Sequence, residues 1–317
     1  MCAAALRSPE EWQNHPMAQH IANTYASDGN VPFAFNHFPS TIKTDLKSAL
    51  GNASNCLSGL RVVSFTRVLA GPIAGRTLAS HGADVLWVTA PHLPSLPNVD
   101  GDTSRGKRTI QLDLRKDDDA AKLKELLREA DVFIDAYRPG ALAKLGFDVS
   151  DVLELNPSMV IGRICAYGHT GPWGGKRGFD SLVQTATGIN SAEAKAFNSA
   201  TPRALPTQAL DHASGYLLAF GVLAALYRKL CGISTGGDVV DVTLAWTGEW
   251  LKSLGAGNIT NPSLSPEDTA AYSELIKLNN GATACFARRA PQMKPAPEFT
   301  RYPTSLASDE PVWLPRS

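Results

Sequence analysis

The distribution of apolar residues between positions 60 and 88 predicts a strand, a helix and a second strand. The run Leu-Arg-Val-Val-Ser-Phe at 60–65 has the length and the β-branched residues of a strand, and a second apolar run follows at 83–88. Between them, Pro72 suits the first turn of a helix and Gly82 suits the residue just past its end. The order predicts a βαβ unit, in which residues 67–70 lie where a ligand binds.

The same alternation of strands and helices continues to residue 166 and predicts an α/β fold. We expect a doubly wound, mostly parallel, Rossmann-like sheet with helices on both faces. The glycines at 71 and 75 do not form a G-x-G-x-x-G motif, so a nicotinamide or flavin cofactor loses its main support. The further predicted elements are strands at 107–114, 130–137 and 159–166 and helices at 117–130, 141–144 and 149–155.

The sequence carries 30 basic and 30 acidic residues, which gives a formal net charge of zero. Without a net positive charge, the protein has no overall electrostatic attraction for nucleic acid or an anionic membrane, and we expect neither as a partner. Neither a secretory leader nor an apolar run of about 18 residues stands out, which predicts a cytoplasmic protein that does not span a membrane. The five cysteines form no C-x-x-C pair, so we expect reduced thiols and no metal site.

Short motifs in a fixed order carry a family resemblance. They include Thr-Arg-Val-Leu-Ala-Gly-Pro at 66–72, Ala-Tyr-Gly-His-Thr-Gly-Pro-Trp at 166–173 and Gln-Ala-Leu-Asp-His-Ala-Ser-Gly-Tyr at 208–216. With further segments at 81–85, 105–110, 137–140, 178–180 and 238–245, the chain resembles the family III CoA-transferases (CaiB/BaiF) over about residues 57–250. This family includes formyl-CoA transferase and the alpha-methylacyl-CoA racemases. The resemblance implies transfer of coenzyme A from an acyl-CoA to a small carboxylic acid, without a metal, by an intertwined homodimer.

The two ends of the chain depart from the family pattern. Residues 3–16 resemble a segment that typical members carry after their small domain, which implies a circularly permuted and shortened variant. Gly255-Ala256-Gly257 is a poor counterpart of the glycine-rich loop that closes over the active site in formyl-CoA transferase. We expect three parts: a helix over 9–25 with a wrapping linker in 1–58, the large domain in 59–250, and a reduced region with a proline-rich tail in 251–317.

The resemblance assigns Asp211 as the nucleophile. In this chemistry a carboxylate attacks the thioester to give a mixed anhydride, which the released thiolate attacks in turn. Asp211 precedes an apolar helical pattern at 216–227, so it would lie at a helix N-terminus, where backbone N–H groups can stabilise an oxyanion. Read alone, the local sequence favours an ordinary N-cap, because Asp is a preferred N-cap residue.

Asp180 is the second acidic candidate, because formyl-CoA transferase has an acidic residue at the matching position. It also precedes a helical pattern at 182–186, so a helix cap is an equal alternative. The racemase branch has a catalytic histidine where this chain has Phe179, and His169 or His212 would have to replace it. Racemisation is therefore the second hypothesis, and a repurposed member without transferase activity is the third.

For coenzyme A, the resemblance points to residues around the first crevice. Clustered cations suit the phosphates because charge-assisted hydrogen bonds offset the desolvation of both partners. The alternative for residues 105–108 is a solvated charged turn. The expected contacts are Arg67, Val68 and Ala70 in the loop, the cations Arg105, Lys107, Arg108 and Lys144, and Asp135, Ala136 and Tyr137 at a strand end.

Overall fold

The computed structural model describes residues 3–26, 31–42, 46–50, 55–255, 257, 264–278, 281–288 and 299–316. The central sheet contains seven strands: β1 (Ala34–Pro39), β2 (Arg61–Phe65), β3 (Asp84–Thr89), β4 (Arg108–Gln111), β5 (Val132–Asp135), β6 (Val160–Cys165) and β7 (Gly236–Thr243). Their spatial order is β1-β7-β6-β5-β2-β3-β4, and every neighbouring pair is parallel except β1 with β7.

Helices cover both faces of the sheet. They are α1 (Pro9–Gln13), α2 (Pro16–Ala26), α3 (Leu46–Ala49), α4 (Ala70–Ser80), α5 (Pro97–Thr103), α6 (Asp117–Glu129), α7 (Val149–Leu155), α8 (Asp180–Ala186), α9 (Ile189–Ala196), α10 (Ala209–Leu230), α11 (Leu244–Ser253) and α12 (Pro266–Ala271). Short 3₁₀ turns occur at Ala143–Leu145 and Pro206–Gln208. A separate antiparallel hairpin joins β8 (Ser273–Lys277) to β9 (Thr283–Ala287).

Alternate residues along the strands divide the core into two layers. Val62 of β2 packs with α4 and α10 on one face, whereas the next residue, Val63, packs with α6 and α7 on the other. Burial on both faces explains the nearly continuous apolar runs of these strands. A third apolar cluster joins α1, α2, α8 and α11 around Trp12. The expected α/β fold with a mostly parallel sheet is confirmed.

Helix α10 is the longest helix in the described part of the chain, and it is strongly apolar. The segment Pro206–Leu230 contains an 18-residue stretch that by length and composition could cross a membrane, contrary to the expectation that no such run exists. The inner face of α10 packs on α4, β6 and β7, and just over half of that 18-residue stretch is buried. Core helices of globular proteins share this composition because they are covered on most sides.

The N-terminal region differs from the expected helix and linker. The helix expected over 9–25 is two helices, because Asn14 ends α1 and Pro16 opens α2. The expected linker contains strand β1, which pairs antiparallel with β7 at the sheet edge. Its side chains Asn36 and His37 bond the carboxylates of Asp241 and Asp238, which fixes the register.

The C-terminal tail crosses the opposite edge of the sheet. Thr109 of β4 donates its backbone N–H to Asp309 at 2.9 Å, and the Asp309 N–H donates to the Thr109 carbonyl at 3.0 Å. The Trp313 indole donates to Leu126 O at 3.1 Å, and Arg316 pairs with Asp131 at 2.8 Å. These contacts fasten the described part of the tail to the large domain. Ala256, in the expected counterpart of the glycine-rich loop, lies outside the described residues.

Candidate active site

A crevice opens at the carboxyl ends of β2, β5 and β6, where sheets of this kind bind ligands. Its walls come from the β2–α4 loop, from Ala136 after β5 and from residues 164–166 at the end of β6. The turn at 178–179 and Leu244 complete the lining, and the cavity has a volume of about 110 Å³. The side chain of Asp211 reaches this cavity from α10.

The β2–α4 loop enters the crevice through unusually close packing. A Cβ at Gly71 would lie 2.3 Å from Cβ of Ala136, so a side chain at that position would push the loop away from β5. Val68 adopts a positive φ of 68°, which is rare for a β-branched residue and turns the loop toward the cavity. Arg67, Val68, Ala70 and Ala136, four of the ten residues expected to contact CoA, line this crevice.

Asp211 is the third residue of α10, and its carboxyl group is largely buried, with 9% of the residue exposed. Burial raises the pKa of Asp211 to about 7, and the nearby charge of Asp180 adds to the rise. The N-cap of α10 is Gln208, so the interpretation of Asp211 as an ordinary N-cap is wrong. The carboxyl group of Asp211 does not cap α10 and instead lines the crevice.

Asp180 provides the cap that α10 lacks in its own sequence. Its Oδ2 accepts hydrogen bonds from the backbone N–H groups of Leu210 at 2.7 Å and Asp211 at 3.0 Å. Asp180 is the first residue of α8 and is fully buried, and α8 itself has no side-chain cap. The alternative that Asp180 caps its own helix is therefore wrong; the carboxylate instead stabilises the N-terminal N–H groups of α10.

Gln184 completes this arrangement and was missed by the sequence reasoning. Its Nε2 donates to Oδ1 of Asp180, and its Oε1 accepts from the backbone N–H of Leu205 at 2.8 Å. The side chain thereby links α8 to the segment that leads into α10. The spacing of four residues from Asp180 on a helix is the signal that could have found it.

The other residues expected at the adjoining strand end lie outside the crevice. Asp135 lines a different cavity beside Arg163 and His169, and burial raises its pKa to about 7. Tyr137 packs on Phe65, and its buried hydroxyl has no hydrogen-bond partner in the described part of the chain. Lys144 is exposed in the first 3₁₀ turn. None of these three residues, which were expected to contact CoA, lines the crevice.

The three clustered cations are directed into the protein. Lys107 is fully buried, donates to Pro72 O at 2.7 Å and lies 4.4 Å from the centre of the Trp87 ring, and burial lowers its pKa. Arg108 makes two hydrogen bonds to the Asp84 carboxylate, at 2.9 and 2.7 Å.

Arg105 bonds Asp102 and Glu274 and lies over the rings of Phe286 and Phe299. The alternative of a solvated charged turn at 105–108 is wrong, because all three cations are buried. Each already has partners within the chain, and their expected role toward CoA phosphates stays a prediction.

The two histidines considered for proton transfer do not line the crevice. His169 lies beside Asp241 and Arg163, and burial lowers its pKa to about 4. His212 follows Asp211 on α10, and its pKa is lowered by burial and by the charge of Arg76. Phe179, at the position where the racemase branch has a histidine, does line the crevice. Within the described residues, no cluster of three His, Cys, Asp or Glu side chains could hold a metal ion.

Comparison with known proteins identifies the family. The profile of CoA-transferase family III matches residues 57–287. The chain belongs to this family. It is 36% identical over 211 residues to a probable fatty acyl-CoA transferase of Mycobacterium tuberculosis, Rv3272, covering 61% of this chain and 51% of that protein. It is 30% identical over 234 residues to a formyl-CoA:oxalate CoA-transferase of Rhodopseudomonas palustris, covering 70% of this chain and 52% of that protein.

A third relative, a succinate–glutarate CoA-transferase of Agrobacterium fabrum, is 38% identical over 153 residues, which cover 43% of this chain and 38% of that protein. Among solved structures, the orthorhombic form of Rv3272 gives a TM-score of 0.57 at 33% identity, over 64% of this chain and 57% of that chain. This CoA-transferase family chain therefore spans about half, or less, of the length of these three curated relatives.

Proposed function

We propose that this family III protein transfers CoA from an acyl-CoA to a carboxylic acid, with Asp211 as the nucleophile. The observation that carries the proposal is the Asp211 carboxyl group, which lies in the crevice at the first turn of α10. Relatives named as formyl-CoA:oxalate and succinate–glutarate CoA-transferases support CoA transfer in general. CoA would enter along Arg67, Val68, Ala70 and Ala136.

The transfer proceeds through two anhydrides and one thioester. The Asp211 carboxylate attacks the acyl-CoA carbonyl, the C–S bond breaks, and a mixed anhydride and CoA thiolate form. The thiolate attacks the aspartyl carbonyl, which releases the first acid and leaves an aspartyl-CoA thioester. The acceptor carboxylate then attacks the aspartyl-CoA thioester, which releases the CoA thiolate and forms a second mixed anhydride. The thiolate attacks the acceptor's carbonyl in this anhydride, which gives the new acyl-CoA and regenerates Asp211. A pKa of about 7 makes this carboxylate more basic than an ordinary one, so we expect the rate to rise with pH through that value.

Trapping of the covalent intermediate tests the proposal. Wild-type protein incubated with acyl-CoA and hydroxylamine should carry a hydroxamate at position 211, detected by mass spectrometry of the peptide. Asp211→Asn should lose the adduct and the transfer, while Asp151→Asn keeps both, since Asp151 occupies the same third helical position in α7 away from the crevice. Exchange of the substrate alpha proton with deuterated solvent and no adduct would instead support the racemase hypothesis. Transfer that survives Asp211→Asn would exclude Asp211 as the nucleophile.

We also propose that the protein is an intertwined homodimer that acts in the cytoplasm. Its N-terminal segment adds β1 to one edge of the sheet and its C-terminal segment crosses the other edge, and such edge segments can exchange between subunits. Light scattering at micromolar concentration should give a mass near 68 kDa, about twice the 33.8 kDa of one chain. A mass of one chain over the whole concentration range would contradict the dimer.

A further inference from the structure

The wall of the crevice beside Asp211 is apolar. Apart from the residues proposed to contact CoA, its side chains are mainly aliphatic or aromatic: Leu69, Ile164, Phe179 and Leu244. Within the described part of the lining, Arg67 is the only cationic side chain. Its guanidinium donates to the carbonyl of Pro94 at 2.6 Å, in the segment after β3, and is near Asp100. One end of the Arg67 guanidinium is therefore held by a main-chain carbonyl.

Phe179 occupies the exposed side of this wall. Half of the residue is accessible (51%), although it lies directly before the fully buried Asp180. Its position follows from Gly178, where a Cβ would lie 2.6 Å from Cβ of Ala166 and 3.0 Å from the Tyr167 ring. The glycine lets the turn pack on the end of β6, which brings the Phe179 side chain to the cavity. An exposed aromatic side chain at the rim of an apolar cavity is typical of a ligand contact.

These surroundings separate two kinds of acid. A dicarboxylate would bring a second charge into the cavity, where the one described cation, Arg67, is held by Pro94 and the rest of the wall offers no charge to compensate its desolvation. An apolar chain gains from burial instead, by about fourfold in affinity for each methylene group removed from water. The preference does not involve Asp211 itself, because both kinds of acid present one reacting carboxylate to it.

We propose that the acid exchanged at Asp211 is a monocarboxylate with an apolar chain, and that Phe179 forms the wall that selects it against dicarboxylates. The inference rests on the proposed function and names its substrate class. In exchange assays at equal concentrations, kcat/KM for butyrate and isovalerate should exceed that for succinate and glutarate at least tenfold. Phe179→Leu should retain this order. Phe179→Arg places a cation at the wall and should shift the ratio toward succinate by at least tenfold.

Two controls separate this inference from the proposed transfer. Phe197→Arg changes a partly exposed aromatic residue at the end of α9, outside the crevice, and should leave the ratio unchanged. Calorimetric titration of the CoA-loaded protein with butyrate or succinate measures acid binding without turnover. Adducts that form at least as fast from succinyl-CoA as from butyryl-CoA would overturn the substrate class and leave transfer intact. Tighter binding of butyrate without any adduct would retain the substrate class and overturn the transfer.

Discussion

The buried carboxyl group of Asp211 predicts a specific pH dependence of stability. Its pKa rises from about 3.9 in the unfolded chain to about 7 in the folded protein, and each unit corresponds to about 1.4 kcal/mol. The folded state therefore binds this proton more tightly than the unfolded state. Stability from this group is fully present below pH 4 and is lost as the pH rises through 7. The total loss is about 4 kcal/mol.

Asp211→Asn isolates this contribution because asparagine keeps the shape of the side chain and does not titrate. The difference between the unfolding free energies of variant and wild type should grow by about 2.5 kcal/mol in favour of the variant between pH 5 and pH 8. Urea denaturation followed by tryptophan fluorescence at several pH values measures it. Titrating groups that do not interact with Asp211 contribute equally to both proteins and cancel in the difference.

A second variant tests the cause of the shift. Asp180→Asn removes the like charge beside Asp211 but retains a carbonyl oxygen that can accept from the α10 N–H groups. Because burial is the larger cause, the pH-dependent loss should shrink without disappearing. If the difference in unfolding free energy between Asp211→Asn and wild type stays constant within about 0.5 kcal/mol from pH 5 to 8, Asp211 is not a buried carboxyl group with a raised pKa.

Three further substitutions test the packing around the site, each by urea denaturation. Asp180→Ala leaves buried N–H groups at the start of α10 without an acceptor and should cost about 2 kcal/mol or more, so a cost below about 0.5 kcal/mol would contradict the cap. Gly71→Ala forces its new Cβ against Ala136 and should cost about 1–3 kcal/mol; an unchanged midpoint would contradict the close approach. Arg108→Met leaves Asp84 without its bidentate partner and should cost about 3–5 kcal/mol, with Asp84→Asn in the same chain recovering part of it.

The central block of the sheet was predictable from sequence because its signals are local. Apolar runs of strand length, Pro72 at a helix start and Gly82 at a helix end lie within one βαβ unit, and β2, α4 and β3 form at those positions. Helix α7 coincides with the predicted range 149–155. Strand β1 was not predicted because the polar residues Asn36 and His37 interrupt its apolar pattern and Pro39 ends it. Proline is tolerated there because β1 is an edge strand.

The candidate site was only partly predictable, for a related reason. Asp180 and Asp211 each precede a helical pattern, but nothing in either segment indicates that one carboxylate caps the other helix. The cations at 105–108 resemble an exposed patch in the sequence because most of their partners are distant: Arg108, for example, bonds Asp84 and the carbonyl of Val312. Local patterns identify which residues carry charge, whereas tertiary packing decides where the charge points.

The closure of both sheet edges by distant segments has a consequence for biosynthesis. Strand β1 emerges from the ribosome early, but its partner β7 lies about 200 residues later, as the Asn36–Asp241 separation of 205 shows. The outer side of β4 stays uncovered for a similar interval, since Asp309 follows Thr109 by 200 residues. Contacts of such long range slow folding, and open strands can pair with other chains meanwhile. The nascent polypeptide should therefore depend on chaperones until β7 and the segment around Asp309 are translated.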